Sequence, residues 1–149
     1  MKQNIGMPEH AFQGVHIFGE CYGIRADLLN DMEKLSLWLS KGIERSGATL
    51  CSLQQKQFSP SGVTLLALLS ESHASIHTYP EEGAFFFDAF TCGPICRPQE
   101  IAHFLIEQLQ PTSHHLQTVH RGQFSSSTWM GSSPLVPADP AHYPATTLS

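Results

Sequence analysis

The residues best suited to chemistry crowd into one stretch, ESHASIHTYPEEG, Glu71 to Gly83. Ser72 precedes His73, His77 follows four positions on, and Glu81 and Glu82 come after Pro80. Cys92 stands nine residues beyond Gly83. The stretch lies between two very apolar runs, VTLLALL and AFFFDAF, where each polar group costs free energy unless it is paired. A strand carrying histidines for structural reasons is the plainest account, and it makes Cys92 a small buried apolar residue. A metal account uses His73 and His77 with Cys92 and Cys96 as borderline-soft ligands. Ile76, Thr78, Tyr79 and Pro80 mark the segment as extended, and residues four apart on a strand are roughly 13 Å apart. One ion is therefore disfavoured, and no metal is expected. A nucleophile account places Ser72 or Cys92 beside a base such as His77. The chain has no G-x-S-x-G elbow and no evident third acid, so a standard hydrolase is poorly supported.

The elements that must position these residues follow from pattern. Residues 1–13 read as a loose leader and 14–24 as a strand. Leu28, Met32, Leu35, Leu39 and Ile43 fall on one face of a helix from about Asp27 to Ser46, with Asp27 as N-cap and Ser46–Gly47 as the stop. Strands are expected over 48–58, 63–70, 74–79 and 84–91, with turns at Ser59–Gly62 and Pro80–Gly83. A second helix is expected over 98–110, with Ile101, Phe104, Leu105 and Leu109 inward, then a last strand in HHLQTVHRG. From 122 to 149 the chain turns Ser-, Pro-, Ala- and Thr-rich and reads as a weakly structured tail. Short turns imply antiparallel pairing. The fold class is α+β: one domain over 1–121, a two-layer sandwich of an antiparallel sheet with two helices on one face. The other face needs a cover, and a homodimer is the economical one.

The chain of 149 residues suffices for one domain with a real core. Charged residues make up only 14% of it, which fits a surface partly covered by a partner subunit. A net charge of −5 without a basic stripe speaks against nucleic acid. No apolar run approaches a membrane span, and no signal peptide is visible, so the cytoplasm is the expected location. There Cys21, Cys51, Cys92 and Cys96 are expected as thiols.

The order E-S-H, two residues, I-H-T, an aromatic, P-E, and later F-T-C-G resembles the self-processing signature of the prokaryotic S-adenosylmethionine decarboxylases, pyruvoyl enzymes of spermidine synthesis. The resemblance reaches back through RSGATL at Arg45–Leu50, through Phe58, Pro60, Gly62 and Val63, and to His16, Glu20 and Tyr22. It covers about residues 14–121.

The resemblance implies that Ser72 Oγ attacks the carbonyl of Glu71, turning the peptide bond into an ester. β-Elimination then splits the chain into 1–71 and 72–149, leaving a pyruvoyl group derived from Ser72. It implies His77 as the acid/base of processing, with Thr64 where the family often has a helping serine. The pyruvoyl carbonyl forms a Schiff base with the substrate amine and acts as electron sink, a task pyridoxal phosphate performs elsewhere. Neither pyridoxal phosphate nor a metal is expected. Cys92 matches the family's proton donor. Phe58 and Tyr79 match the aromatics that stack on adenine, with Tyr79 replacing a more usual Trp. Glu81 matches the carboxylate that binds ribose, and Glu20 is a further acid near the substrate. Glu82 departs from the family, which usually has an aromatic there. S-adenosylmethionine is the implied substrate, and a dimer of processed units the implied assembly. A pyruvoyl decarboxylase of ornithine or arginine on the same fold is the alternative. A processing-deficient regulatory paralogue is another, against which the intact Ser72, His77 and Cys92 argue.

Overall fold

The structure, a computed structural model, describes residues 12–122. The expected leader up to Ala11 and the tail from residue 123 lie outside the described residues. Six strands form: β1 Gly14–Tyr22, β2 Leu50–Gln57, β3 Val63–Leu69, β4 Ser72–Tyr79, β5 Ala84–Cys92 and β6 Ser113–Arg121. They form one sheet in the order β2-β3-β4-β5-β1-β6, with every neighbouring pair antiparallel. Helices α1 Ala26–Leu29, α2 Met32–Ser46 and α3 Gln99–Leu109 complete the two layers.

Alternation along the strands decides the core face. Ile17, Cys21, Val63, Leu65, Ala67, Ala74, Ile76, Phe85, Phe87 and Ala89 are buried together with Leu35, Leu39 and Ile43 of α2 and Ile101, Ala102 and Leu105 of α3. Truncating one of the larger of these side chains to Ala costs about 2–5 kcal/mol. The two long helices approach closely at Gly42, where a Cβ would lie 3.3 Å from the Ile101 Cα. Phe104 departs from expectation. It is only half buried at the rim, where the Arg45 guanidinium lies 4.9 Å from its ring centre.

The expected first helix is in fact two. Asp27 caps neither. The chain breaks at Asn30, and Asp31 caps α2 by accepting the Lys34 N–H at 3.0 Å. The break frees the Asn30 amide oxygen, which accepts the Gly62 N–H at 2.9 Å and the Gln57 Nε2–H at 2.7 Å. Thr78 Oγ1 donates to the Leu29 carbonyl at 2.7 Å and accepts the Val63 N–H at 2.8 Å. These bonds fasten the β2–β3 turn and the end of β4 to α1.

The opposite face carries four rows set by strand register. One row aligns Thr64, His77, Phe86, Glu20 and His115. The next aligns Leu66, Ser75, Asp88, Phe18 and Gln117. The third aligns Leu68, His73, Phe90, His16 and Val119, and the last holds Cys92, Gly14 and Arg121. Leu66 and Leu68 on this face are 49% and 57% exposed, and Phe18, Phe86 and Val119 are exposed as well.

Candidate active site

The β3–β4 connection is a two-residue hairpin, since Leu69 pairs with Ser72. Ser70 and Glu71 form its tip. The strand therefore starts two residues earlier than the expected Ala74, with Ser72 at its first position. Ser72 has φ 150°, a region rarely open to a residue with a side chain, at a cost of about 1–3 kcal/mol. The Glu71 carbonyl accepts the Cys92 N–H at 3.0 Å. The Glu71 carboxylate accepts the Thr49 N–H at 2.9 Å, so both ends of the residue are held. Thr91, the register partner of Ser72, buries a hydroxyl without a partner among the described residues, at a cost of about 1–3 kcal/mol. Nearby, burial first and Glu71 second push the Cys96 thiol above its ordinary value.

Thr64 and His77 lie at the other end of the hairpin. Thr64 Oγ1 and His77 Nδ1 are hydrogen-bonded at 3.0 Å across β3 and β4. They line a cavity of about 320 Å³ with Phe58, Ser61, Gly62, Thr78, Tyr79 and Glu81. The 3-10 turn Pro80–Glu82 brings Glu81 to the rim, closed by Gly83 at φ 60°. A Cβ at Gly83 would lie 3.1 Å from the Ile24 carbonyl, so the turn requires glycine. Glu82, on the same turn, is exposed and is not among the lining residues. Tyr79 packs against Phe86 with ring centres 5.1 Å apart, and Lys56 lies 6.0 Å from the Phe58 ring centre. Glu20 shares the His77 row, two strands away.

The expected residues thus form two groups. Glu71, Ser72 and Cys92 meet at one end of the sheet, and Phe58, Thr64, His77, Tyr79 and Glu81 at the other. Five residues of extended strand separate Ser72 from His77, roughly 16 Å.

A third group escaped the sequence reading. Asp88 Oδ2 accepts His16 Nε2–H at 2.9 Å and His73 Nε2–H at 2.8 Å, and Asp88 Oδ1 accepts the Ser75 hydroxyl. Burial acts to raise the Asp88 carboxyl, but the bonds from Ser75, His16 and His73 outweigh it and hold it below the ordinary carboxylate value. His73 Nδ1 lies 3.2 Å from Ser72 Oγ, and Arg121 Nη1 lies 3.5 Å from His16 Nδ1. His16, His73 and Asp88 are also metal-ligand types with ligand atoms within 4.8 Å of one another. Their contacts have the lengths of imidazole N–H donation to a carboxylate. The available signal was alternation in AFFFDAFT, which puts Asp88 on the same face as Phe86 and Phe90.

Residues 15–122 match the family model described as S-adenosylmethionine decarboxylase. An S-adenosylmethionine decarboxylase proenzyme of Brevibacillus brevis is 44% identical over 114 residues, covering 76% of this chain and 86% of its own. A proenzyme of the same name from Prochlorococcus marinus is 41% identical over 108 residues, covering 72% and 86%. The crystal structure of the adenosylmethionine decarboxylase from Aquifex aeolicus superposes with a TM-score of 0.71 at 33% identity, covering 78% of this chain and 96% of that one. A family model spanning most of the chain, relatives above 40% identity and a shared fold agree: this chain belongs to the S-adenosylmethionine decarboxylase family.

Proposed function

We propose that this chain is the proenzyme of a pyruvoyl-dependent carboxy-lyase that decarboxylates S-adenosylmethionine, the step that makes the aminopropyl donor for spermidine, after self-cleavage between Glu71 and Ser72. One observation carries the reading: at a single peptide bond, a serine in a costly backbone conformation follows a carbonyl that already accepts a backbone N–H. Attack of Ser72 Oγ on that carbonyl relieves the conformation, and the Cys92 N–H is placed to stabilise the developing oxyanion. The pyruvoyl group that Ser72 would become supplies an electron sink for the departing carboxylate. Cys92 Sγ, on the same residue, is the thiol that would deliver a proton to carbon.

The cavity supports the substrate assignment. Phe58 and Tyr79 offer aromatic faces to adenine and to the sulfonium charge, and Glu81 offers a carboxylate to the ribose diol. Of the two carboxylates that a basic amino acid would use for its distal cation, Glu82 is not among the lining residues and Glu20 stands two strands from His77.

The roughly 16 Å between Ser72 and His77 supports a homodimer. A two-fold axis lying between two facing sheets, across the strands near the Ser75–Asp88 row, swaps the ends of the strands. It brings His77 and the cavity of one protomer over Ser72 and Cys92 of the other. It also covers Phe18, Leu66, Leu68 and Phe86, at the roughly 10 Å separation of packed sheets. His77 then serves processing and catalysis across the interface. Among the described residues no helix is long and apolar enough to cross a membrane, and a cytoplasmic location is the one we propose.

Intact mass under denaturing conditions tests the cleavage: fragments of 71 and 78 residues are expected. Release of CO₂ from S-adenosylmethionine, ornithine and arginine by the processed protein tests the substrate. Release from a basic amino acid alone would overturn the assignment while leaving the pyruvoyl chemistry intact. Co-expression of Ser72→Ala with His77→Ala tests the shared site. The mixed dimer should cleave the His77→Ala chain, whereas a site within one chain leaves both intact.

A further inference from the structure

We propose that His73, oriented by Asp88, is the base that removes the Ser72 hydroxyl proton in the first step of self-cleavage. The inference rests on the self-processing reading and divides its chemistry between two histidines. His77 is roughly 16 Å from Ser72 along the same strand, whereas His73 Nδ1 is 3.2 Å from Ser72 Oγ.

The tautomer follows from the partners. A carboxylate only accepts, so His73 Nε2 carries the hydrogen it donates to Asp88 at 2.8 Å. Nδ1 is then left with a lone pair facing the serine hydroxyl. Asp88 is itself fixed by Ser75 and His16, with Arg121 beyond His16. Nucleophile, imidazole and half-buried carboxylate stand in the order of a Ser-His-Asp relay, with the two ring nitrogens exchanged relative to the usual one. The electrophile is the Glu71 carbonyl, polarised by the Cys92 N–H.

The step balances as an isomerisation. Ser72 Oγ bonds to the Glu71 carbonyl carbon while its proton passes to His73 Nδ1. The tetrahedral oxyanion accepts the Cys92 N–H. On collapse the bond from Glu71 carbon to Ser72 nitrogen breaks, and the leaving amine takes the proton back from Nδ1. The product is an ester with a free Ser72 amine. Elimination of that ester is the later step, left to His77. Asp88 touches no reacting atom and is a positioning residue.

The test follows cleavage of freshly translated full-length chain by intact mass, for the native protein and for His73→Ala, His73→Gln and His77→Ala in parallel. The native chain should split, and both His73 variants should stay at 149 residues with rates reduced about 100-fold or more. Hydroxylamine, which cuts esters, should cut the His77→Ala chain and leave the His73 variants whole. Added imidazole should restore cleavage to His73→Ala. Asp88→Asn should slow ester formation, and Asp88→Glu should recover part of the rate. Should His73→Ala fail to melt cooperatively, His73→Gln decides, because its amide retains side-chain bulk and a donor for Asp88. Cleavage of a folded His73 variant within threefold of the native rate, or an ester in it that hydroxylamine cuts, overturns the proposal and leaves self-processing standing. A native chain that stays whole defeats the self-processing reading itself.

Discussion

Cys92 donates its backbone N–H to the carbonyl oxygen of Glu71 at 3.0 Å. Under the proposed self-processing and decarboxylation, one residue offers two groups to two reactions: its main chain to the bond to be cut, and its thiol to the substrate carbanion that would follow. The two offers are separable by mutation, because the N–H survives any substitution except proline.

Cys92→Ala should therefore still cleave, at least in part, while turnover drops by two orders of magnitude or so, the typical loss of a positioned acid. During turnover the 78-residue fragment should shift to the mass of an N-terminal alanine, since the proton arrives at the wrong carbon. Normal turnover with an unchanged fragment mass removes Cys92 as the donor.

Ser72→Ala and Ser72→Gly should both remain at full length and release no CO₂. They should differ in stability. Glycine accepts φ 150° readily and alanine does not, so Ser72→Gly should be the more stable by about 1 kcal/mol, or roughly 4–8 °C in melting temperature for a domain of this size. Equal melting points would mean that the backbone at Ser72 stores no strain.

Phe58→Ala and Glu81→Gln should each raise the Michaelis constant for S-adenosylmethionine about 2- to 30-fold, the range expected when one aromatic or charge-assisted contact is lost. Glu82→Gln should leave it unchanged, because Glu82 lies outside the cavity lining. Steady-state kinetics on processed enzyme make the comparison; a large effect at Glu82 alone would point to a basic substrate.

Burial, with Glu20 adding to it, pushes the Cys21 thiol from its ordinary 9.0 up to about 11. The folded state then binds this proton more tightly than the unfolded chain. The corresponding stability is complete below about pH 9 and is lost as the pH rises towards 11. At pH 8 exposed Cys51 should alkylate first and Cys21 only after denaturant is added; early labelling of Cys21 by peptide mapping would contradict its burial.

The strands were legible in the sequence because runs such as VTLLALL and the alternation of AFFFDAFT survive any packing arrangement. So was α2, through the spacing of Leu35, Leu39 and Ile43. The break at Asn30 was not, because nothing local demands it: its reward is the pair of bonds to Gly62 and Gln57, some thirty residues away. Ser72, His77 and Cys92 could be named from the resemblance of their motif to a known family, but a motif along the chain says nothing of which side chains share a site. Register decided that. It placed Cys92 at the Glu71 carbonyl, carried His77 to the far end of the sheet, and put Asp88 between His16 and His73 across three strands that the chain visits in the order first, fourth and fifth. The sequence by itself determined the strands, the two long helices and the chemical types at hand. Only the tertiary structure decided which of those groups meet, because contacts between strands are fixed by long-range pairing and not by neighbours in the chain.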